Sequence, residues 1–269
     1  MAWNATPVED GIERLRRWTD EQRGVPPAFG RMRCRLDHVA PGTTTVRLPL
    51  EPELLLPSGA ASSAVTAMLA DFGLASSVIA SLPDLRGVAT ISFTVDHLTL
   101  PPTTGALLVT CTATPYDDGR PQHARGSVHD DRGRLVAHVS GWLMPTPAEA
   151  AGAQRVGLVD EPPAEHLLAL LGVPAAPAFS LTARDALSNA IGSLHGGVGA
   201  MACSLAAEAA LPGLRPLTTS FDFLRPTPRE GSVDVVASVL RQGRRTGVAV
   251  AEVKDAERRL LVSARLVAG

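Results

Sequence analysis

The sequence predicts an α+β fold made of two tandem copies of one unit, in which a long buried helix is followed by an antiparallel sheet. Two Ala-rich stretches without proline, residues 62–79 and 198–211, are almost wholly apolar. A helix that is apolar nearly all round must be buried. Four strand-like runs, separated by turn residues, follow each of these stretches.

Matching residues in the two halves indicate that the unit is duplicated. The sequence separation between equivalent positions stays nearly constant, with small differences that fall in loops. The equivalent pairs are Val65 and Val198 (198 − 65 = 133), Gly105 and Gly231 (231 − 105 = 126), and Leu135 and Leu260 (260 − 135 = 125). We therefore expect an N-terminal domain at residues 1–145, a linker rich in Ala, Pro and Gly at 146–163, and a C-terminal domain at 164–269.

The other elements follow from periodicity and turn residues. In the first half we expect a helix over 7–22 that ends near Pro26-Pro27, a hairpin of strands at 32–38 and 43–50, and four strands at 89–98, 106–114, 122–129 and 134–143. In the second half we expect a short helix at 165–171, a strand at 179–183, and four strands at 217–224, 232–240, 247–253 and 259–267.

Composition excludes several classes of partner. The chain has 269 residues, of which 45% are hydrophobic, so it can bury a sizeable core. Its net charge of −2 does not favour nucleic acid or an anionic membrane. The three cysteines, Cys34, Cys111 and Cys203, are widely spaced in apolar surroundings and are interpreted as buried small hydrophobes. No His, Cys or acidic residues have metal-ligand spacing, so no metal is expected.

The sequence shows neither a targeting segment nor a membrane span. The first residues lack a basic region followed by an apolar run, and no apolar run approaches the ~20 residues that a membrane helix needs. We therefore expect a cytoplasmic protein. The motifs of α/β-hydrolases, of P-loop NTPases and of dinucleotide-binding enzymes are also missing from the sequence.

The segment His195-Gly196-Gly197 stands at the start of the second buried helix. The first turn of a helix leaves backbone N–H groups without internal partners, and these groups carry partial positive charge. Glycines at that position let a ligand approach the N–H groups closely. This helix start is therefore suited to an oxygen that carries or develops negative charge.

The full pattern, Asn-x-x-Gly-x-Leu-His-Gly-Gly over residues 189–197, resembles the motif of the hotdog-fold acyl-CoA thioesterases of the phenylacetate-pathway and small human-type group. Residues 223–226 and 241–245 resemble the strand motifs that follow in those proteins. The resemblance implies an intrachain double hotdog, in which each sheet curls around its helix. It also implies an acyl-CoA or acyl-carrier substrate, with CoA part of the substrate and no cofactor, and a homodimer of such chains.

The resemblance further implies where the active site lies. In these thioesterases one subunit contributes the Asn and the His-Gly-Gly segment, and the other contributes an acid nine positions past its own His. Here the second half has Asn189, His195 and Gly196, whereas the first half has Asp71. The opposite corner has Leu56, Ser62 and Ser204 at the equivalent positions. One composite site per chain is therefore expected.

Roles for these residues follow from the chemistry of thioester hydrolysis. Asp71 would act as general base on a water or attack the carbonyl itself, and both possibilities stay open. The Gly196 N–H would polarise the thioester carbonyl, and Asn189 would orient the water or the carbonyl. His195 would brace the loop. Thr90 matches a position at which relatives carry a hydroxyl that assists the nucleophile.

Several alternatives remain open at this point. Arg225, Arg241, Arg244 and Arg245 are candidates for contacting CoA phosphates, or form a solvated strand face. Glu208 is a rival acid for the second corner, or a partly exposed charge at a helix end. For the whole chain, the rivals are an enoyl-thioester hydratase or dehydratase and a non-catalytic acyl-CoA-binding module.

Overall fold

The computed structural model describes residues 10–20, 25–84, 86–146, 162–190, 192–228 and 230–269. Within these ranges the predicted α+β class is confirmed. The helices are α1 (Gly11–Asp20), α2 (Pro27–Arg31), α3 (Ser63–Ile79), α4 (Leu167–Leu171) and α5 (Gly196–Ala210). Most of the predicted linker and both ends of the predicted first helix lie outside the described residues.

Eleven strands are found in the described ranges. They are β1 (Arg35–Ala40), β2 (Thr43–Pro49), β3 (Val88–His97), β4 (Ala106–Ala113), β5 (Gln122–Asp130), β6 (Leu135–Pro145), β7 (Ala178–Ala183), β8 (Pro216–Phe223), β9 (Gly231–Gln242), β10 (Gly247–Lys254) and β11 (Leu260–Ala268). Each of them corresponds to a predicted strand, with ends that differ by a few residues.

All eleven strands form one antiparallel sheet in the order β1-β2-β4-β5-β6-β3-β8-β11-β10-β9-β7. The two halves of the chain meet where β3 pairs with β8. In that pair Phe93 lies opposite Phe221, with ring centroids 4.6 Å apart, and Thr94 lies opposite Ser220. The two halves therefore share one continuous sheet.

The helices α3 and α5 are the buried centre of the molecule. The helix α3 packs on the strands β2 to β6, α5 packs on β7 to β11, and the two helices pack against each other. Small residues let these helices pack closely against each other and against the sheet. A Cβ on Gly197 would lie 3.1 Å from the Met68 carbonyl oxygen, and a Cβ on Gly73 would lie 2.5 Å from a Val109 methyl carbon. The glycine at position 197 therefore lets the start of α5 lie beside the middle of α3.

The short helix α2 was missed by the sequence analysis, which took Pro26-Pro27 as the end of the first helix. Pro27 instead occupies the first turn of α2, where a proline costs no hydrogen bond. Trp18 of α1 and Phe29 of α2 are buried, and their ring centroids are 6.1 Å apart. Together α1 and α2 cover the C-terminal part of α3.

The cysteines and the helix lengths bear on two further expectations. All three cysteines are buried and free, which confirms their interpretation as small hydrophobes. Within the described ranges, none of the helices combines the length and the apolar character that crossing a bilayer requires.

Candidate functional site

The start of α5 presents a free backbone donor. His195 is the N-cap, and its Nδ1 accepts a hydrogen bond from the Gly197 N–H at 3.0 Å. The N–H groups of Val198 and Gly199 both bond to the His195 carbonyl. In the described part of the chain, the N–H of Gly196 has no hydrogen-bond partner. It is therefore available to an oxygen of a bound ligand.

The carboxylate of Asp71 reaches this helix start from α3. Asp71 is 2% exposed, and its Oδ1 accepts a hydrogen bond of 2.6 Å from the Thr90 hydroxyl. Its Oδ2 lies 3.2 Å from His195 Nδ1, and a Cβ on Gly196 would lie 3.1 Å from the same oxygen. A buried carboxylate is costly unless it is paired. Here the carboxylate accepts a hydrogen bond from the Thr90 hydroxyl, and its other oxygen faces the His195 imidazole.

Two groups lie close to Nδ1 of His195, the Gly197 N–H and the Asp71 carboxylate. While Nδ1 accepts from the Gly197 N–H, the ring proton is on Nε2 and Nδ1 cannot donate to Asp71. Asp71 Oδ2 lies 3.2 Å from Nδ1, whose single lone pair is already used by the Gly197 N–H. In the described part of the chain this oxygen therefore accepts no hydrogen bond from His195, which suits a carboxylate that gains a proton during a reaction. His195 also packs edge-on against Phe72, at 4.5 Å between ring centroids.

Asn189 fixes the loop that precedes α5. Its Nδ2 donates to the Ser193 hydroxyl at 2.7 Å, and its Oδ1 accepts from the Ser193 N–H at 3.0 Å. The neighbouring Ser188 carbonyl accepts from the Ala28 N–H of α2. The Asn189 side chain thus holds the loop in shape while it lies at the wall of a cleft.

All five predicted catalytic residues line one cleft of about 280 Å³, called the first cleft below. Its wall residues include Asp71, Thr90, Asn189, His195 and Gly196. Residues separated by as many as 125 positions in sequence (196 − 71 = 125) therefore converge on one space. A carboxylate, a hydroxyl and an unpartnered N–H around one cavity can activate a water and stabilise an oxyanion.

Only one of the four candidate phosphate-binding arginines lies at the first cleft. Arg225 lines it, and its Nη1 donates to the Leu260 carbonyl at the start of β11. The hairpin with Arg241, Arg244 and Arg245 adjoins the opposite end of β11, where Gly247 pairs with Ala268. Eight residues of strand separate these ends (268 − 260 = 8), or about 26 Å at 3.3 Å per residue.

A second cleft of about 210 Å³ lies at that opposite end. Its lining includes Ser63, His97, Leu98, Arg215 and Leu217. The position equivalent to Asp71 is Ser204, and its hydroxyl bonds back to the Ala200 carbonyl of its own helix. In the described part of the chain, this corner has no carboxylate at the place where the first cleft has Asp71.

Glu208 occupies the second corner in a way that the sequence analysis did not anticipate. It is not simply a charge at a helix end, because it is partly buried and accepts hydrogen bonds from the hydroxyls of Ser62 and Ser63 at the start of α3. Burial raises the pKa of its carboxyl above the ordinary value of 4.5, although both serine hydroxyls oppose this shift.

The raised pKa of Glu208 makes the stability depend on pH. Because the folded protein binds this proton more tightly than the unfolded chain, the contribution of Glu208 to stability is fully present below about pH 4.5 and falls as pH rises through the folded pKa. We expect Glu208→Gln to remove this fall and to raise Tm at pH 8 relative to wild type. Thermal unfolding from pH 4.5 to 8 measures it, with exposed Glu165→Gln as control. An unchanged Tm difference across that range would contradict the assignment.

Phe72, Phe93 and Phe221 could each line an acyl pocket or belong to the core, and their positions differ. Phe72 lines a cavity of about 70 Å³ that adjoins the first cleft, together with Trp18 and Phe29. Phe93 and Phe221 are buried in the sheet between the two halves. Of these three, Phe72 is therefore the one that lines a cavity.

Comparisons with known proteins agree with this fold. Residues 185–269 match the family model described as the acyl-CoA thioesterase N-terminal domain. A provisionally assigned oleoyl thioesterase from Lactobacillus plantarum is 8% identical, with a TM-score of 0.61 over 86% of this chain and 97% of its own. The 12:0-ACP thioesterase from Umbellularia californica is 10% identical, with a TM-score of 0.58 over 85% of this chain and 94% of its own.

An acyl-ACP thioesterase from Bacteroides thetaiotaomicron is also 10% identical, with a TM-score of 0.57 over 85% of this chain and 98% of its own. No curated protein sequence matches the chain. The mixed fold of helices and antiparallel sheet is thus that of the hotdog-fold thioesterases. The family match covers residues 185–269, and the likeness to these solved thioesterases extends over most of the chain as a likeness of fold.

Proposed function

We propose that this protein hydrolyses acyl-CoA or acyl-carrier thioesters at one composite site. The first half of the chain would contribute Asp71 and Thr90, and the second half Asn189, His195 and Gly196. The observation that carries the proposal is the position of the Asp71 carboxylate beside the start of α5, where the Gly196 N–H has no partner in the described part of the chain.

The register between β3 and β8 supports a tandem double hotdog, with halves at residues 1–145 and 164–269 and a linker at 146–163. Thr94 lies opposite Ser220, with their hydroxyl oxygens 3.3 Å apart. These residues are 126 positions apart (220 − 94 = 126), the offset that also relates Gly105 to Gly231. A residue that pairs with its own equivalent lies on a pseudo-two-fold axis, as at the interface of a symmetric dimer.

The two clefts fit the same symmetry. His97 and Leu98 of the second cleft are equivalent, at the same offset of 126 (223 − 97 = 126), to Phe223 and Leu224 of the first cleft. The duplication would thus give two corners, of which only the first combines a carboxylate with a glycine-rich helix start. The second corner holds Glu208 against the start of α3.

The proposed reaction begins with a water in the first cleft. Asp71 takes one proton from the water, and the resulting hydroxide attacks the thioester carbonyl carbon. The Gly196 N–H donates to the oxyanion that forms, because it lies at the positive end of α5. The C–S bond then breaks, and the thiolate leaves with the proton that Asp71 held. The products are the free acid and the thiol of CoA or of the carrier.

Thr90 and His195 would position Asp71 for this role. The Thr90 hydroxyl holds Oδ1, which leaves Oδ2 as the oxygen beside Gly196. His195 caps the start of α5 through the Gly197 N–H, and its Nδ1 lies 3.2 Å from Asp71 Oδ2. Asn189 shapes the loop and lines the cleft, where it would orient the water or the carbonyl. Direct attack by Asp71 through an anhydride is the alternative, and label from ¹⁸O-water in the Asp71 side chain would reveal it.

The carrier group would leave through the open side of the first cleft. We propose Arg225 as the phosphate contact, because it is the one candidate arginine of the four that lines this cleft. A homodimer of chains is also proposed. Val236, Val239 and Leu240 on β9 are exposed apolar residues that such an interface could cover. Light scattering of the purified protein would determine the number of chains.

The test of the activity is the release of free thiol from a panel of short, long, branched and aryl-CoA thioesters. The proposal predicts thiol release that depends on Asp71. Addition of water to an enoyl-CoA without thiol release would identify a hydratase instead. Binding of acyl-CoA without either reaction would identify a binding module.

A further inference from the structure

A cavity beside the first cleft, called the inner chamber below, adjoins the candidate site. Its volume is about 70 Å³, and it shares His195 and Asn189 with the first cleft. Its lining is mostly apolar and comes mainly from α1, α2, α3 and β3. The apolar residues include Trp18, Phe29, Phe72, Ile79 and Val88. Because the two cavities share wall residues, the chamber lies directly beside the site of Asp71.

Arg14 of α1 also lines the inner chamber, next to these apolar residues. It is 4% exposed, its Nη1 donates to the Arg86 carbonyl at 2.6 Å, and its guanidinium lies 5.9 Å from the centroid of the Trp18 ring. In the described part of the chain, no carboxylate forms an ion pair with it. Burial lowers the pKa of Arg14 below its ordinary value, with no neighbouring carboxylate to oppose the shift.

This environment is unusual for a buried guanidinium. A charge taken out of water is costly unless it is paired, and a guanidinium stays protonated and carries five N–H donors. The comparably buried Arg31 follows the rule, since its Nη1 lies 2.9 Å from a carboxylate oxygen of Glu53. In the described part of the chain, the partners of Arg14 are one carbonyl and one ring face, which leave N–H donors for a further acceptor. A carboxylate matches the fork of a guanidinium best.

We infer that the inner chamber holds the acyl group of the substrate and that Arg14 binds a second carboxylate at its far end. The substrate would then be a thioester of a short dicarboxylic acid. This inference rests on the proposed function of the first cleft. Asp71 and Ile79 are eight residues apart on α3 (79 − 71 = 8), a rise of about 12 Å. This rise matches the length of a short acyl chain.

The test compares matched acids of equal chain length. Succinyl-CoA is compared with butanoyl-CoA, glutaryl-CoA with pentanoyl-CoA, and adipyl-CoA with hexanoyl-CoA, by kcat/KM for thiol release. We expect the dicarboxylic member to be preferred at least tenfold in one or more pairs. Arg14→Met should lower kcat/KM for that member by about 10- to 100-fold and leave its monocarboxylic partner unchanged or improved. Exposed Arg16→Met on the same helix is the matched control.

A binding measurement separates this inference from the proposed function. Calorimetry of the Asp71→Asn protein with the same pairs should show tighter binding of the dicarboxylic thioester, and this preference should be lost in the Arg14→Met, Asp71→Asn double variant. Should Arg14→Met fail to fold, as Tm would show, the wild-type preference and Arg14→Lys decide. Thiol release with the monocarboxylic thioesters preferred would overturn the inference and leave the proposed function standing. Hydrolysis unaffected by Asp71→Asn would overturn the proposed function instead.

Discussion

Replacing Asp71 with Asn is expected to lower kcat for thioester hydrolysis by about 10²- to 10⁴-fold, the usual contribution of a general base. The amide has nearly the size of the carboxylate, and its oxygen can still accept the hydrogen bond from the Thr90 hydroxyl. It cannot take a proton from water at neutral pH. Because Asp71 is 2% exposed among packed helices, an isosteric change also avoids a cavity. Stopped assays of free thiol under saturating substrate measure the effect.

The control for Asp71→Asn is Ser204→Ala, the equivalent position in the second half. The Ser204 hydroxyl bonds to the Ala200 carbonyl of its own helix, so its loss should leave kcat within about twofold of wild type. Equal Tm values for both variants would show that neither change acts through stability. A kcat for Asp71→Asn that stays close to wild type would mean that Asp71 is not the base and does not attack the carbonyl.

Gly196→Ala is expected to lower kcat by about 10²-fold. The added methyl carbon would lie 3.1 Å from Asp71 Oδ2 and 3.3 Å from Phe223 Cε1. It would thus take the space in which the carbonyl oxygen approaches the Gly196 N–H. Loss of one oxyanion donor typically costs about 10²- to 10³-fold. Because both contacts are tighter than ordinary van der Waals contacts, Tm is measured beside kcat to separate a loss of stability from a loss of catalysis.

Gly199→Ala is the matched control for this change. It lies one turn further along α5, and its added methyl carbon would meet only a Val262 methyl carbon, at 3.6 Å, which is an ordinary contact. We expect its kcat to equal that of wild type. Circular dichroism and Tm of both variants complete the comparison. Full activity of Gly196→Ala would show that the carbonyl does not bind at the start of α5.

The sequence alone was sufficient to place α3 and α5, because both are apolar on every side and lack proline. It also predicted that Asp71 and Gly196 meet, although this came from the resemblance to thioesterases and from the internal offset rather than from local pattern. In the structure the two residues line the same cleft, and a Cβ added to Gly196 would lie 3.1 Å from Asp71 Oδ2. Local sequence preference thus determines where the helices form, whereas packing between distant parts of the chain determines how the site residues come together.

The inner chamber and the second corner could not be predicted in this way. Arg14 contacts the Arg86 carbonyl across 72 positions, and Glu208 reaches Ser63 across 145. Such contacts depend on how helices pack, which no spacing in the sequence encodes. The helix α2 was missed because Pro27 looked like a helix end although proline is equally suited to a helix start.

The arginines show a third limit of prediction. Arg225 and Arg245 are only 20 positions apart (245 − 225 = 20), and both belong to motifs that resemble thioesterases. However, β8 and β9 run in opposite directions in the sheet. The end of β8 that precedes Arg225 and the end of β9 that precedes Arg245 therefore lie at opposite ends of the strands. Sequence distance therefore gave no measure of their distance in space.

The most direct test of the composite site is a crystal structure of the Asp71→Asn protein with the acyl-CoA that wild type hydrolyses fastest. We predict that the thioester carbonyl oxygen lies within about 3.2 Å of the Gly196 nitrogen, with the reacting carbon facing the side chain at position 71. The acyl group should enter the inner chamber. An acyl-CoA bound instead in the second cleft, beside Ser63 and His97, would contradict the account.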